Sequence, residues 1–308
     1  MGGIVRLSHV EVRVPDLELA TAYYAEVVGL VEVERSDDEH GQRVYLKGWD
    51  ELQHHSLILS RRPTYGLDAL AFKVEHAADL DRLQARVESA GFATTRHAPG
   101  TLATAAGETV RFTGPSGHVV DLEHGQLQVG NRMPRLNPPV GPEGLTGMAP
   151  PRIDHVFLMC EHINAATDFF RDVLDFRMTE QILADDGFQL ASFLERSHST
   201  HDIAFLTGPD GGFHHVAFWV DDWNELRKGA DTCAYHGVTV DAGPTRHGAT
   251  RGCGLYFFDP AGNRNEIYTG GYWFDPDDEP TTWTENEIGR AIFYYQGRLN
   301  QAFMTVHS

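Results

Sequence analysis

The sequence predicts an α+β protein of two domains, each made of two βαβββ modules whose strands form a curled sheet. Three observations predict it. The chain has 308 residues, enough for two domains at about 100–200 residues each. A strand followed by an amphipathic helix opens both halves of the chain and recurs within each half. Residues 125–151 hold six prolines and five glycines and read as a linker running over the surface between the halves.

The elements follow in order. Leu7-Ser8-His9-Val10-Glu11-Val12-Arg13-Val14 reads as a strand, and residues 19–30 place apolar side chains at helical spacing. Arg152-Ile153-Asp154-His155-Val156-Phe157-Leu158 and residues 165–176 repeat that pair in the second half. Sixty residues after His9 and His155 come the second strands, Ala69-Leu70-Ala71-Phe72-Lys73-Val74 and His215-Val216-Ala217-Phe218-Trp219-Val220. Residues 110–121 and 255–266 each read as strand, Pro-x-Gly turn, strand, because proline presets one turn dihedral and glycine permits the left-handed one. The boundaries are therefore a first domain at 1–124, the linker at 125–151, a second domain at 152–271 and a tail at 272–308. In the tail, Thr284-x-x-Glu287 has capping-box form, and Ile288, Ile292, Leu299 and Phe303 are expected along one face of a closing helix.

Composition narrows the function. The 25 basic and 44 acidic residues give a formal charge of −19, which repels phosphate backbones and anionic lipid headgroups, so neither nucleic acid nor membrane is an expected partner. No run approaches the ~20 apolar residues of a membrane span, and the opening Met1-Gly2-Gly3-Ile4-Val5-Arg6 lacks a signal core, so a cytoplasmic location is expected. Three separated cysteines, Cys160, Cys233 and Cys253, suit a reducing compartment better than a disulfide framework.

The duplication acts as an internal control for chemistry. Where the first half has His9, Ala69 and Asp121, the second has His155, His215 and Glu266. Two imidazoles and a carboxylate on separate strands make up the facial triad that holds non-haem Fe(II) and leaves adjacent positions open, although Mn(II) accepts the same set. Strand alternation puts Val216, Phe218 and Val220 on one face and His215, Ala217 and Trp219 on the other. His214 then falls opposite His215 and is expected either to support the metal ligands from outside or to be structural, while His54, His118 and His124 are expected to be structural. His9 lacks partners and reads as a relic or packing residue.

These residues carry a family resemblance. Gly243-Pro244-Thr245-Arg246-His247-Gly248, the run from Tyr256-Phe257-Phe258-Asp259-Pro260 to Glu266, and Gly270-Gly271-Tyr272 resemble the signature of type I extradiol ring-cleavage dioxygenases of the vicinal oxygen chelate superfamily, closest to the catechol 2,3-dioxygenases. Thr282-Trp283-Thr284 and Arg290-Ala291-Ile292-Phe293-Tyr294 extend it into the tail. The resemblance implies Fe(II) on His155, His215 and Glu266, with catechol and O2 as reactants. It further implies cleavage of catechol or alkylcatechols to a 2-hydroxymuconate semialdehyde by a homotetramer. The family's acid–base histidine is matched at His201-Asp202-Ile203-Ala204-Phe205, with His198 the competing position, and its substrate-contacting residues at His247 and Tyr256. The alternatives are a bicyclic or carboxylated catechol as substrate, or a non-oxygenase reaction on the same fold.

Overall fold

The computed structural model describes residues 3–197, 199–275 and 277–308. The first half runs β1 (Ile4–Val14), α1 (Leu17–Tyr23), β2 (Val31–Asp38), β3 (Gly41–Lys47) and β4 (Leu57–Arg61). It continues with β5 (Gly66–Val74), α2 (Ala77–Ser89), β6 (Thr94–His97), β7 (Glu108–Thr113) and β8 (Val119–His124). The second half repeats this with β9 (Arg152–Cys160), α3 (Ile163–Asp172), β10 (Arg177–Leu183), β11 (Gln189–Glu195) and β12 (Ile203–Thr207). Then come β13 (Gly212–Trp219), α4 (Trp223–His236), β14 (Val240–Arg246), β15 (Gly252–Phe258) and β16 (Arg264–Gly270). Four βαβββ modules are the result, two in each sheet.

The sheets have matching topology. The first has strand order β2-β3-β4-β1-β5-β8-β7-β6, and the second β14-β15-β16-β13-β9-β12-β11-β10, with β17 (Thr281–Thr284) added in parallel at the β10 edge. In each, the two module-opening strands lie antiparallel at the centre, β1 on β5 and β9 on β13. One sheet face is apolar and packs on the helices. Val216, Phe218 and Val220 belong to a core that runs through both halves, where the Phe72 ring meets Phe170 and Phe176 at 6.0 and 5.1 Å. The other face lines the cup.

Helix boundaries follow local chemistry. Asp222 caps α4 by accepting from the Asn224 and Glu225 amides, and Leu226, Gly229 and Cys233 give it a buried stripe. Hydrogen bonds join the halves. Asp202 accepts from the Leu7 amide at 3.3 Å, Tyr24 Oη lies 3.1 Å from Asn265 Oδ1, and Asn263 Nδ2 donates to the Arg13 carbonyl at 3.1 Å. The tail departs from the single helix expected of it. It forms β17, then α5 (Ile288–Ile292) and α6 (Gln301–Thr305), interrupted where Phe293 turns extended and the Tyr294 amide donates to the Arg246 carbonyl at 2.8 Å. Ile292 and Phe303 still pack in one cluster, approached from two helices.

Candidate metal centre

His155 comes from β9, His215 from β13 and Glu266 from β16, which lie side by side at the centre of the second sheet. Register brings them together: Ala217 pairs with both His155 and Glu266 across its two neighbours. Glu266 Oε2 lies 3.2 Å from His155 Nε2 and 3.1 Å from His215 Nε2, and the two Nε2 atoms are 3.4 Å apart. Donors about 2.1 Å from an ion and at right angles to one another stand about 3 Å apart, so the triangle has the size of one face of an octahedron. All three side chains are buried, and neither Glu266 oxygen has a geometrically sound hydrogen-bond partner. A buried carboxylate without donors is costly, and a divalent cation satisfies it. The donor set fits a metal ion.

Room for Glu266 comes from a neighbour. A Cβ on Gly254 of β15 would stand 2.1 Å from Glu266 Oε1, so only glycine leaves space for the carboxylate.

Each histidine ligand follows a β-bulge. In the β9–β13 ladder Ala217 faces His155 and Phe218 faces Ile153, which leaves Asp154 as the extra residue. Phe213 faces Leu158 and His215 faces Phe157, which leaves His214. Bulges re-aim side chains, and here both extra residues reach the histidine that follows. Asp154 Oδ2 is 2.9 Å from His155 Nδ1, and His214 Nδ1 is 2.6 Å from His215 Nδ1. His214 thus sits beside His215 and not opposite it, because strict alternation fails at a bulge. Asp154 was missed from the sequence for the same reason.

The charges differ accordingly. Burial disfavours the charged form of His155, but the Asp154 and Glu266 carboxylates outweigh it and raise the ring to about 9. Burial dominates at His215, which has no anion at Nδ1 and falls to about 4. Glu266 is held well below the ordinary carboxylate range: burial opposes this, and the three neighbouring histidines overcome it.

His201, His247 and Tyr256 line the same cavity, together with Phe193, Ile292 and Phe303. The His201 ring lies against that of His155 with centroids 3.9 Å apart and planes tilted by 43°, and its Nδ1 lies 3.2 Å from Thr200 Oγ1. Burial first, and then the adjacent His155, push it well below 6.5, so the ring is neutral. The loop before it is braced by Asp202, which accepts from the Arg196 and Ser197 amides at 2.6 and 2.8 Å. His198 lies outside the described residues. His247 Nδ1 donates to the Ile292 carbonyl at 2.5 Å, so a neutral ring has a bare Nε2, which accepts from Tyr256 Oη at 2.9 Å. Burial raises the Tyr256 hydroxyl well above 10, keeping it a donor. A wider cleft of about 770 Å³ lies between the halves, behind Asp154, but the metal-capable donors do not face it together.

The first half shows what loss of the triad leaves. Asp121, at the Glu266 position, is held by Arg111 through bonds of 2.8 and 2.7 Å, an internal cation in place of an ion. His9 Nδ1 stands 3.5 Å from Glu123 Oε2, and its ring meets His55, which holds the position of His201 one residue before the Ser56-Leu57 entry to β4. Ala103 and Ala106 form a buried apolar cluster with Tyr45 and Ile58. His118 ties the halves through the Gly212 carbonyl at 3.0 Å.

Residues 152–267 match the model of the glyoxalase/bleomycin resistance protein/dioxygenase superfamily, and residues 67–123 that of the catechol 2,3-dioxygenase-like N-terminal domain. A metapyrocatechase of Pseudomonas sp. (strain CF600) is 40% identical over 306 residues, 99% of this chain and 98% of that protein. A manganese-dependent 2,3-dihydroxybiphenyl 1,2-dioxygenase of Geobacillus genomosp. 3 is 29% identical over 95% of this chain and 94% of its own. The crystal structure of the 2,3-dioxygenase LapB from Pseudomonas sp. KL28 superposes with a TM-score of 0.87 at 40% identity, covering 92% of this chain and 98% of that one. The chain is a member of the extradiol dioxygenases of that superfamily, in the group of the catechol 2,3-dioxygenases.

Proposed function

We propose that this extradiol dioxygenase cleaves catechol and alkylcatechols with O2, on Fe(II) held by His155, His215 and Glu266, to a 2-hydroxymuconate semialdehyde. The observation that carries the reading is the buried carboxylate of Glu266, without hydrogen bonds, between two imidazole nitrogens and beside His201, His247 and Tyr256. Held by His155, His215 and Glu266, the metal would supply a cation that lowers the pKa of the catechol hydroxyls. Two neutral imidazoles and one carboxylate keep that cation at net +1, which favours an anionic catechol.

The chain's own groups supply the rest. His201 is neutral, its Nδ1 faces Thr200, and Nε2 is therefore the atom that takes a proton from a substrate hydroxyl and later returns it. Tyr256, whose hydroxyl donates to His247 Nε2 in the structure, can turn that proton toward a substrate oxygen instead. His247 can donate toward substrate only as an imidazolium, because its Nδ1 proton is committed to Ile292. Phe157, Phe193, Ile292 and Phe303 exclude water from the reacting atoms. Among the described residues lining this cavity there is no lysine or arginine, so a carboxylated catechol would enter with its charge unpaired.

The second metal reading is Mn(II), favoured by the name of the Geobacillus relative and by a donor set that takes either ion. Reconstitution of the metal-free protein with each ion under anaerobic conditions, followed by catechol and air, tests both readings. Yellow ring-opened product is expected with Fe(II). Product with Mn(II) alone would reassign the metal, and no product from catechol or methylcatechol with either ion would reject the substrate class.

A further inference from the structure

We propose that His214 and the segment that follows Phe303 set the tautomer of His215, so that its Nε2 is bare and able to bind metal; this rests on the reading of His215 as a ligand. The bulge in β13 turns the His214 ring toward the cup, with Nδ1 2.6 Å from His215 Nδ1 and Nε2 2.9 Å from the Phe303 carbonyl oxygen. A carbonyl can only accept, so His214 Nε2 carries a proton. A neutral His214 then has a bare Nδ1, which accepts from His215 Nδ1–H. That leaves the His215 Nε2 lone pair directed at the position shared with Glu266 Oε2, 3.1 Å away. The opposite assignment is self-defeating. A charged His214 would donate from both nitrogens, force the His215 proton onto Nε2 and remove the ligand.

The carbonyl at the end of this relay is 89 residues from His214 in sequence and is held firmly. The Phe303 ring meets the rings of His214, Tyr256 and Phe293 at 4.9, 4.7 and 4.9 Å. Beyond it, Ser308 and Phe213 exchange backbone hydrogen bonds of 2.8 and 2.9 Å, and Arg264 Nη1 donates to the Val306 carbonyl at 2.9 Å. The segment therefore docks on the residue immediately before His214. His155 gets its orientation from its own neighbour, Asp154, whereas His215 depends on a relay that closes only when residues 303–308 are in place. His214 is a positioning residue: it acts through His215 and touches no reactant. Partners of this kind typically contribute about 10–100-fold in metal affinity.

Two measurements test the relay. In the full chain loaded with Zn(II), imidazole ¹⁵N NMR is expected to show His214 as the Nε2–H tautomer and His215 as Nδ1–H; His214 as Nδ1–H would overturn the proposal without any variant being made. Mn(II) affinity then separates function from fold. Glutamine can donate to Phe303 and accept from His215, so His214→Gln is expected to stay within about 3-fold of the parent, while His214→Leu loses about 10–100-fold. Equal affinity in all three would refute the relay and leave the metal site standing. Absence of tight Mn(II) binding in the parent would instead refute the site, and if the leucine variant fails to fold, the NMR assignment decides.

Discussion

Truncating Glu266 removes the only anion among the three donors, so Glu266→Ala is expected to lose bound metal, read as metal content after reconstitution and desalting; a full equivalent retained would reject the ligand role. His201 separates differently. It touches His155 by a tilted ring contact and is not one of the three donors, so His201→Phe should retain metal while turnover falls about 10²–10⁴-fold, as for other general acid–base groups. Unchanged turnover would remove it from the proton path. Glu266 was singled out in the sequence because a degenerate copy stood beside the complete one, and His201 only through the family resemblance. Asp154 was not. Nothing in the order of residues says that a strand carries one extra, and without that irregularity Asp154 would point away from His155.

At the level of the strand, β15 has a constraint that its sequence shows only as two glycines flanking Cys253. Gly254→Ala would set a methyl group 2.1 Å from Glu266 Oε1. The expected outcome is a folded protein with an unchanged far-ultraviolet circular dichroism spectrum, a stability loss of about 1–3 kcal/mol from overpacking, and little bound metal. Normal metal content would show that Glu266 has another way to sit. The four module-opening strands, the first helix of each half and the two strand–turn–strand segments were legible from periodicity and Pro-x-Gly turns, since each depends on nearest neighbours. The tail was not, because its course is set by partners distant in sequence: β17 joins β10, Tyr294 hangs from Arg246, and Ser308 joins Phe213. A capping-box pattern cannot report such contacts, and Thr284 makes no side-chain cap.

For the whole molecule, the contact between the halves makes stability pH-dependent. Burial lowers His118 to about 4 from 6.5, and its ring bonds to Ser116 and to the Gly212 carbonyl across the boundary. Because the folded value is depressed, the unfolded chain binds the proton first. The contribution is complete above about 6.5 and is lost as pH falls toward 4. Between pH 7 and pH 5 this one group should lower stability by about 2 kcal/mol, and His118→Gln should flatten denaturant-melt stability over that interval by a similar amount. An unaltered slope would place the loss elsewhere, for instance at His55, which burial also depresses. The bulges of β9 and β13 have counterparts in the first half, where Ser8 and Asp68 are unpaired between β1 and β5, in addition to a further irregularity at Val5. Those strands hold no triad, and one of its positions is already alanine, yet the irregular backbone persists. A point substitution erases a donor in one step, whereas straightening the strand takes a deletion that would invert every side chain beyond it. The same slips in the ladder occur in a half that holds the triad and in a half that does not, so the backbone geometry stands independently of the donors it aims in the second half.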